Sequence, residues 1–206
     1  MKSRFVMWCI AAGSDSESAT NLWLDVGSRY CEPLRHYHTL DHIAASLAHL
    51  DAVEVNAAVE GAIWFHDVIY DPARRDNEEQ SAAFFLETTR PWIDPDLAER
   101  IQLLIMATDP RTERIEHPDH ALITDIDLAI LGAEAADYDA YAKAIRAEYG
   151  HVPDEEFRMA RAAVMKRFLD APIYRTPTFR HLEAQARRNI EEELAALAVG
   201  PGDVVA

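Results

Sequence analysis

The stretch from Val53 to Ile69 narrows the accessible folds more than any other part of the chain. Its apolar residues, among them Val55, Ala58, Val59, Ala62, Ile63, Trp64 and Phe65, fall on nearly every side of a helix. A helix without a polar face is central and must be covered by other elements. Asp71-Pro72 breaks it. The flanking segments supply the cover. Asn21–Tyr30 is a short helical block before Pro33. From Leu40 to Leu50, Ile43, Leu47 and Leu50 follow helical spacing. Asp76–Thr88 opens with acidic residues that suit a helix N-terminus. Pro95–Ala107 carries Leu97, Ile101, Leu104 and Ile105 on one stripe. Asp119–Leu131 ends at Gly132, a plausible C-cap, and Glu134–Tyr149 ends at Gly150. Asp154–Asp170 has Phe157, Arg161, Val164 and Phe168 at helical spacing. Thr178–Leu197 has Leu182, Ala186, Ile190, Leu194 and Leu197.

These segments predict an all-α protein of eight or nine helices. A single domain is expected over residues 20–197, with a segment of uncertain role at 1–19 and a loose tail at 198–206. At 206 residues, such a chain buries roughly 70% of its unfolded surface and needs no staple to fold. Lys2 and Arg4 before the apolar run Phe5–Ala12 mimic a short secretory signal, but Asp15 and Glu17 follow quickly. A structural segment, or a start at Met7, is expected rather than export. A cytoplasmic protein with Cys9 and Cys31 as reduced thiols fits that reading.

The charge balance, 20 basic against 36 acidic residues, gives −16. Such a surface repels nucleic-acid polymers and anionic membranes. Only Lys2, Lys143 and Lys166 are lysine. The remaining basic residues are arginines, whose fork suits a small anionic ligand.

Three features carry chemistry. His66-Asp67 closes the most apolar segment, where an ionised Asp is costly unless paired or bound to a cation. His38 and His42 lie one helical turn apart upstream. Asp125 and Asp127 sit within the apolar run Ile123–Leu131, on nearly opposite sides of a helix. One of them should face the core or a ligand, the other solvent or a cap. Two imidazoles and two carboxylates, without thiolate, make a mixed site for a divalent ion such as Mn, Fe, Co, Ni or Zn, with Mg a further candidate.

This order of His, His-Asp and Asp on helices resembles the HD superfamily of metal-dependent phosphohydrolases. The closer likeness is to a bacterial HD-domain family of predicted phosphohydrolases. It rests on Arg35-His-Tyr-His-Thr-Leu-Asp-His-Ile43, Phe65-His-Asp-Val-Ile-Tyr-Asp71, Asp76-Asn-Glu-Glu-Gln-Ser-Ala82, Asp125-Ile-Asp-Leu-Ala-Ile-Leu-Gly132, and the later Ala186-Arg187-x-Asn189. It spans residues 20–197.

The resemblance implies metal ligands at His42, His66, Asp67 and Asp127, with His38 and Asp125 as the alternatives to the first and last. It implies hydrolysis of a small phosphorylated metabolite or nucleotide. Asp71 or Glu78 would orient or deprotonate the water, Asp71 only if the helix persists past Ile69. Arg35 would grip a phosphate, and His38, Asp76 and Asn77 would contact substrate. Asp76 has an equal claim as a helix cap, with Glu79 completing a capping box. Thr108 is followed by Asp109, Pro110 and Arg111, where the family carries a histidine. One ion is therefore expected rather than two. A non-catalytic metal-binding or ligand-sensing module is the main alternative, with a di-iron oxygenase ranked lower. A homo-oligomer is compatible with the sequence.

Overall fold

The computed structural model describes residues 1–53, 56–111 and 117–199. It is all-helical, with ten α-helices and no strand among the described residues. The chain divides into two compact units, Met1–Ile126 and Asp127–Ala206.

The first unit holds α1 (Lys2–Ala11), α2 (Ser16–Arg29), α3 (Leu40–Asp51), α4 (Ala57–Phe65), α5 (Asn77–Thr89), α6 (Pro95–Met106) and all but the last residue of α7 (Pro118–Asp127). Helix α4 is the hub. Every residue from Ala58 to Phe65 is buried, and α1, α3, α5 and α6 all pack on it. Its start is set by Asn56, whose side chain accepts from the backbone N–H groups of Ala58 and Val59. Asp15 and Asp94 cap α2 and α6 in the same way. Around Trp64 the aromatic rings meet edge to face, with Phe5 at 5.2 Å and Trp23 at 6.1 Å.

Two sequence expectations change here. The helix count rises to ten because the 1–19 segment contributes a full helix. Phe5 and, one turn on, Trp8 and Cys9 are buried, which makes α1 part of the first unit's core. The central helix, expected over 53–69, is shorter. Beyond Phe65 its backbone is taken by side chains from elsewhere: Arg35 donates to the carbonyls of Asp67 and Val68, and Ser81 Oγ accepts from the Ile69 N–H. Periodicity does not register such competitors. Gly61 is a further constraint on α4. A Cβ there would lie 2.6 Å from the Trp8 ring and 2.7 Å from Ile101 Cδ1. Gly61→Ala is expected to destabilise the protein by about 1–3 kcal/mol through overpacking. A shift in the urea midpoint reads the effect, and an unchanged midpoint refutes it.

The second unit begins with a 3-10 turn at Leu128–Gly132, followed by α8 (Ala135–Glu148), α9 (Asp154–Leu169), a short 3-10 turn at Arg180–Leu182 and α10 (Glu183–Ala198). Asn189, buried in α10, donates to the carbonyls of Leu131 and Ala133, and the Tyr174 hydroxyl donates to the Leu128 carbonyl. These bonds pin the first turn to the rest of the unit. The inner face of α9 runs through Phe157, Arg161 and Met165, with Val164 exposed, so the expected Phe157–Arg161–Val164–Phe168 stripe holds at its first two positions and is rotated beyond them. Arg161 stays inside because its guanidinium is paired with Glu193 at 2.8 Å. Helix α10 reaches Ala198, and the rest of the expected loose tail, residues 200–206, lies outside the described residues. No helix among the described residues is long and apolar enough to cross a membrane.

Candidate metal centre

Helix α3 starts at Thr39, whose hydroxyl accepts from the Asp41 N–H. That start places His42 in the first turn, with its ring buried beside Ile43. His66 and Asp67 follow directly on the end of α4. Asp127 is the last residue of α7. Ligand atoms of His42, His66, Asp67 and Asp127 all lie within 4.8 Å of one another. The set closes on His42 rather than His38, and on Asp127 rather than Asp125. Asp125 is instead fully buried, whereas Asp127 is half-buried.

The chemistry of the donors can be read from their hydrogen bonds. His66 Nδ1 lies 3.0 Å from the Ile63 carbonyl. A carbonyl only accepts, so Nδ1 carries the proton. In the neutral ring, Nε2 then presents a lone pair. That lone pair faces the Asp67 carboxylate at 3.0 Å and His42 Nε2 at 3.2 Å. His42 Nε2 is also 3.6 Å from the same carboxylate oxygen. Lone pairs at this spacing repel unless a proton or a cation lies among them. The Ile63 carbonyl bond fixes the ring's tautomer and orientation, as a metal-binding imidazole requires. The residues therefore fit a divalent ion, and the cluster could hold one. Burial disfavours the charged form of Asp67, but without an ion the positive charge that His66, His38 and His42 carry when protonated outweighs it and holds the carboxyl well below the usual range.

The other predicted residues take different places. Arg35 is buried, and its guanidinium is committed to the carbonyls of His38, Asp67 and Val68 and to the Glu32 carboxylate. The expectation that it grips a phosphate gives way to a clamp that joins the His38 segment to the His66-Asp67 turn. His38 stacks on Tyr70 with ring centroids 4.0 Å apart and lies 6.1 Å from the His42 ring, beside the centre.

Because α4 ends at Phe65, Asp71 does not lean over the centre along a continued helix. It is exposed and its carboxylate accepts from the Ala73 N–H. Asn77 holds both backbone groups of Asp71 rather than presenting its amide to a substrate. Asp76 occupies the N-cap position of α5 but makes no side-chain cap bond. Its carboxylate goes to Arg74 and Gln80, so the expected capping box does not form.

Glu78 keeps its place among the candidates. Ser81, one turn on, is bonded to both backbone groups of Ile69 and docks this face of α5 on the segment after Asp67. Burial pushes the Glu78 carboxyl up, and the charges of Asp109 and Asp67 add to this against Arg111. Sequence reasoning assigns no role to Ser81, which docks α5, or to Arg111, whose Nη2 lies 3.8 Å from Glu78. Ser81 stands in the Asp76–Ala82 motif with nothing to mark its hydrogen bonds, and Arg111 stands out only as a departure from the pattern of the family the sequence resembles. No family model, curated protein or solved structure matches the chain, so the chemistry of the centre is read from its side chains.

Proposed function

We propose that the protein is a metal-dependent phosphohydrolase acting on a small phosphorylated metabolite or nucleotide. The observation that supports this most is the convergence of two imidazoles and two carboxylates, with no thiolate, on one point. Such a set suits a divalent ion of borderline or hard character. Bound there, the ion would polarise a phosphoryl oxygen and acidify a water molecule.

The chain's own contribution is positioning and proton transfer. Glu78 is the general base in this reading, on a helix face docked beside the segment after Asp67, with its carboxyl pushed up by burial. Arg35 orients the His66-Asp67 turn through its backbone and touches no substrate.

The test is phosphate release from a panel of nucleotides and sugar phosphates, with Mn or Ni added and then chelated. Release that stops on chelation and returns with the ion is the expected result. No release from any phosphoester, with divalent-ion binding intact, would leave a binding or sensing module in place of the enzyme. Release indifferent to chelation would sink the metal-dependent reading.

A further inference from the structure

We propose that Arg111 is the residue that binds the anionic oxygens of the substrate phosphate, the role expected of Arg35 from sequence. The inference rests on the phosphohydrolase reading and deepens it. A hydrolase for phosphoesters needs a fixed cation near its base, and Arg35 has no edge left for one, since backbone carbonyls and Glu32 take its fork.

Arg111 has the complementary features. Its side chain is 47% exposed, and Nη2 lies 3.8 Å from the Glu78 carboxylate. Glu78 in turn lies on the face of α5 docked against the segment after Asp67. One edge of the guanidinium is held rigidly: Nε and Nη2 each donate to Asp109 at 2.9 Å, and the Arg111 backbone N–H donates to the same carboxylate at 2.7 Å. Asp109 is itself buried. The fork is thus pre-oriented, which reduces the entropy lost when it binds a ligand.

On the other edge, Nη1 and the second N–H of Nη2 make no hydrogen bond among the described residues, and Nη2 faces Glu78 at 3.8 Å. Two parallel N–H groups on that edge match two oxygens of a phosphoryl group. A terminal phosphate is the class this edge selects. The ester's neutral portion needs no partner from it. Four other arginines of the first unit are engaged elsewhere: Arg4 with Asp51 and Glu60, Arg29 with Asp25, Arg74 with Asp76, and Arg100 with Asp119.

The experiment is a calorimetric titration of the Mn-loaded full chain with inorganic phosphate, for wild type, Arg111→Met and Arg111→Lys. Steady-state phosphate release is measured beside it on the best phosphoester of the panel. Arg111→Met should weaken phosphate binding by about tenfold or more, the loss expected of a charge-assisted fork, and raise KM similarly. Its Mn affinity should stay at the wild-type value. Arg111→Lys should recover part of the phosphate affinity, because it keeps the charge without the fork. Phosphate binding by Arg111→Met equal to wild type, in a protein that still releases phosphate, overturns the role of Arg111 alone. A Mn-loaded wild type that neither binds phosphate nor releases it overturns the phosphohydrolase reading and this inference with it.

Discussion

Asp67→Asn should abolish divalent-ion binding and reduce phosphate release to background while leaving the protein folded. Asp67 supplies the carboxylate that both His66 Nε2 and His42 Nε2 face, at 3.0 Å and 3.6 Å. An amide oxygen carries no charge and is a far poorer ligand. Loss of a mere supporting contact around a metal costs about 10–100-fold in affinity, and loss of a charged ligand should exceed that. The fold should survive because the amide repairs the metal-free cluster. Its N–H groups can donate to the His66 lone pair, which Ile63 leaves on Nε2.

The same substitution changes the response to acid. In the metal-free wild type Asp67 is held below its ordinary pKa of 3.8, with burial opposing and the imidazoles of His66, His38 and His42 prevailing. A depressed carboxyl contributes stability that is fully present above its unfolded pKa and is lost as pH falls through the folded one. Urea unfolding of the metal-free wild type should therefore weaken more steeply below about pH 4 than that of Asp67→Asn. Calorimetric titration with Mn or Ni gives the binding result directly. A variant that still binds the ion with wild-type affinity would remove Asp67 from the centre.

Much of the first unit is legible in the sequence, for identifiable reasons. Ile43, Leu47 and Leu50 predict α3 because their burial depends only on local spacing, and all three are in the core. Ala58 to Phe65 predict a covered helix because so apolar a run cannot be stable in water. The pairing of His66 with Asp67 is visible for the same reason. The end of α4 is not legible, since it depends on Arg35 and Ser81, 30 residues before and 16 after Phe65 in the chain.

Which aspartate of Asp125 and Asp127 joins the cluster is also not fixed by periodicity. Both lie in one apolar helix segment, and only the position of its last turn separates them. Asp71, Asp76 and Asn77 are engaged in the chain's own hydrogen bonds for a shared reason. Polar side chains between two helices are spent on closing the loop, here through Asn77 to the Asp71 backbone and Asp76 to Arg74. A motif places such residues near a site without saying which groups their hydrogen bonds are needed for.

Arg35 is where the two accounts differ most measurably. Were it a phosphate grip, Arg35→Met would raise KM and leave folding untouched. The hydrogen bonds predict the reverse order of effects. The guanidinium satisfies the carbonyls of His38, Asp67 and Val68 at 3.2, 2.5 and 3.0 Å. Its side chain is only 1% exposed, whereas its acidic partner Glu32 is 47% exposed. The energetic weight therefore lies in the backbone bonds rather than in the ion pair. Methionine fills much of the space but donates nothing. Each carbonyl left dry costs about 1–3 kcal/mol, and the three share one site, so the total should be about 3–5 kcal/mol.

The turn that carries Asp67 loses its tie to the His38 segment in the same step. Ion affinity should then fall with stability, although Arg35 ligates nothing. Arg35→Lys should be intermediate, because one ammonium cannot reproduce a planar fork spread over three carbonyls. Urea unfolding with linear extrapolation, paired with Mn titration, separates the outcomes. A fully stable Arg35→Met protein that binds Mn normally but has lost phosphate affinity would restore Arg35 to the substrate and displace Arg111 from that role.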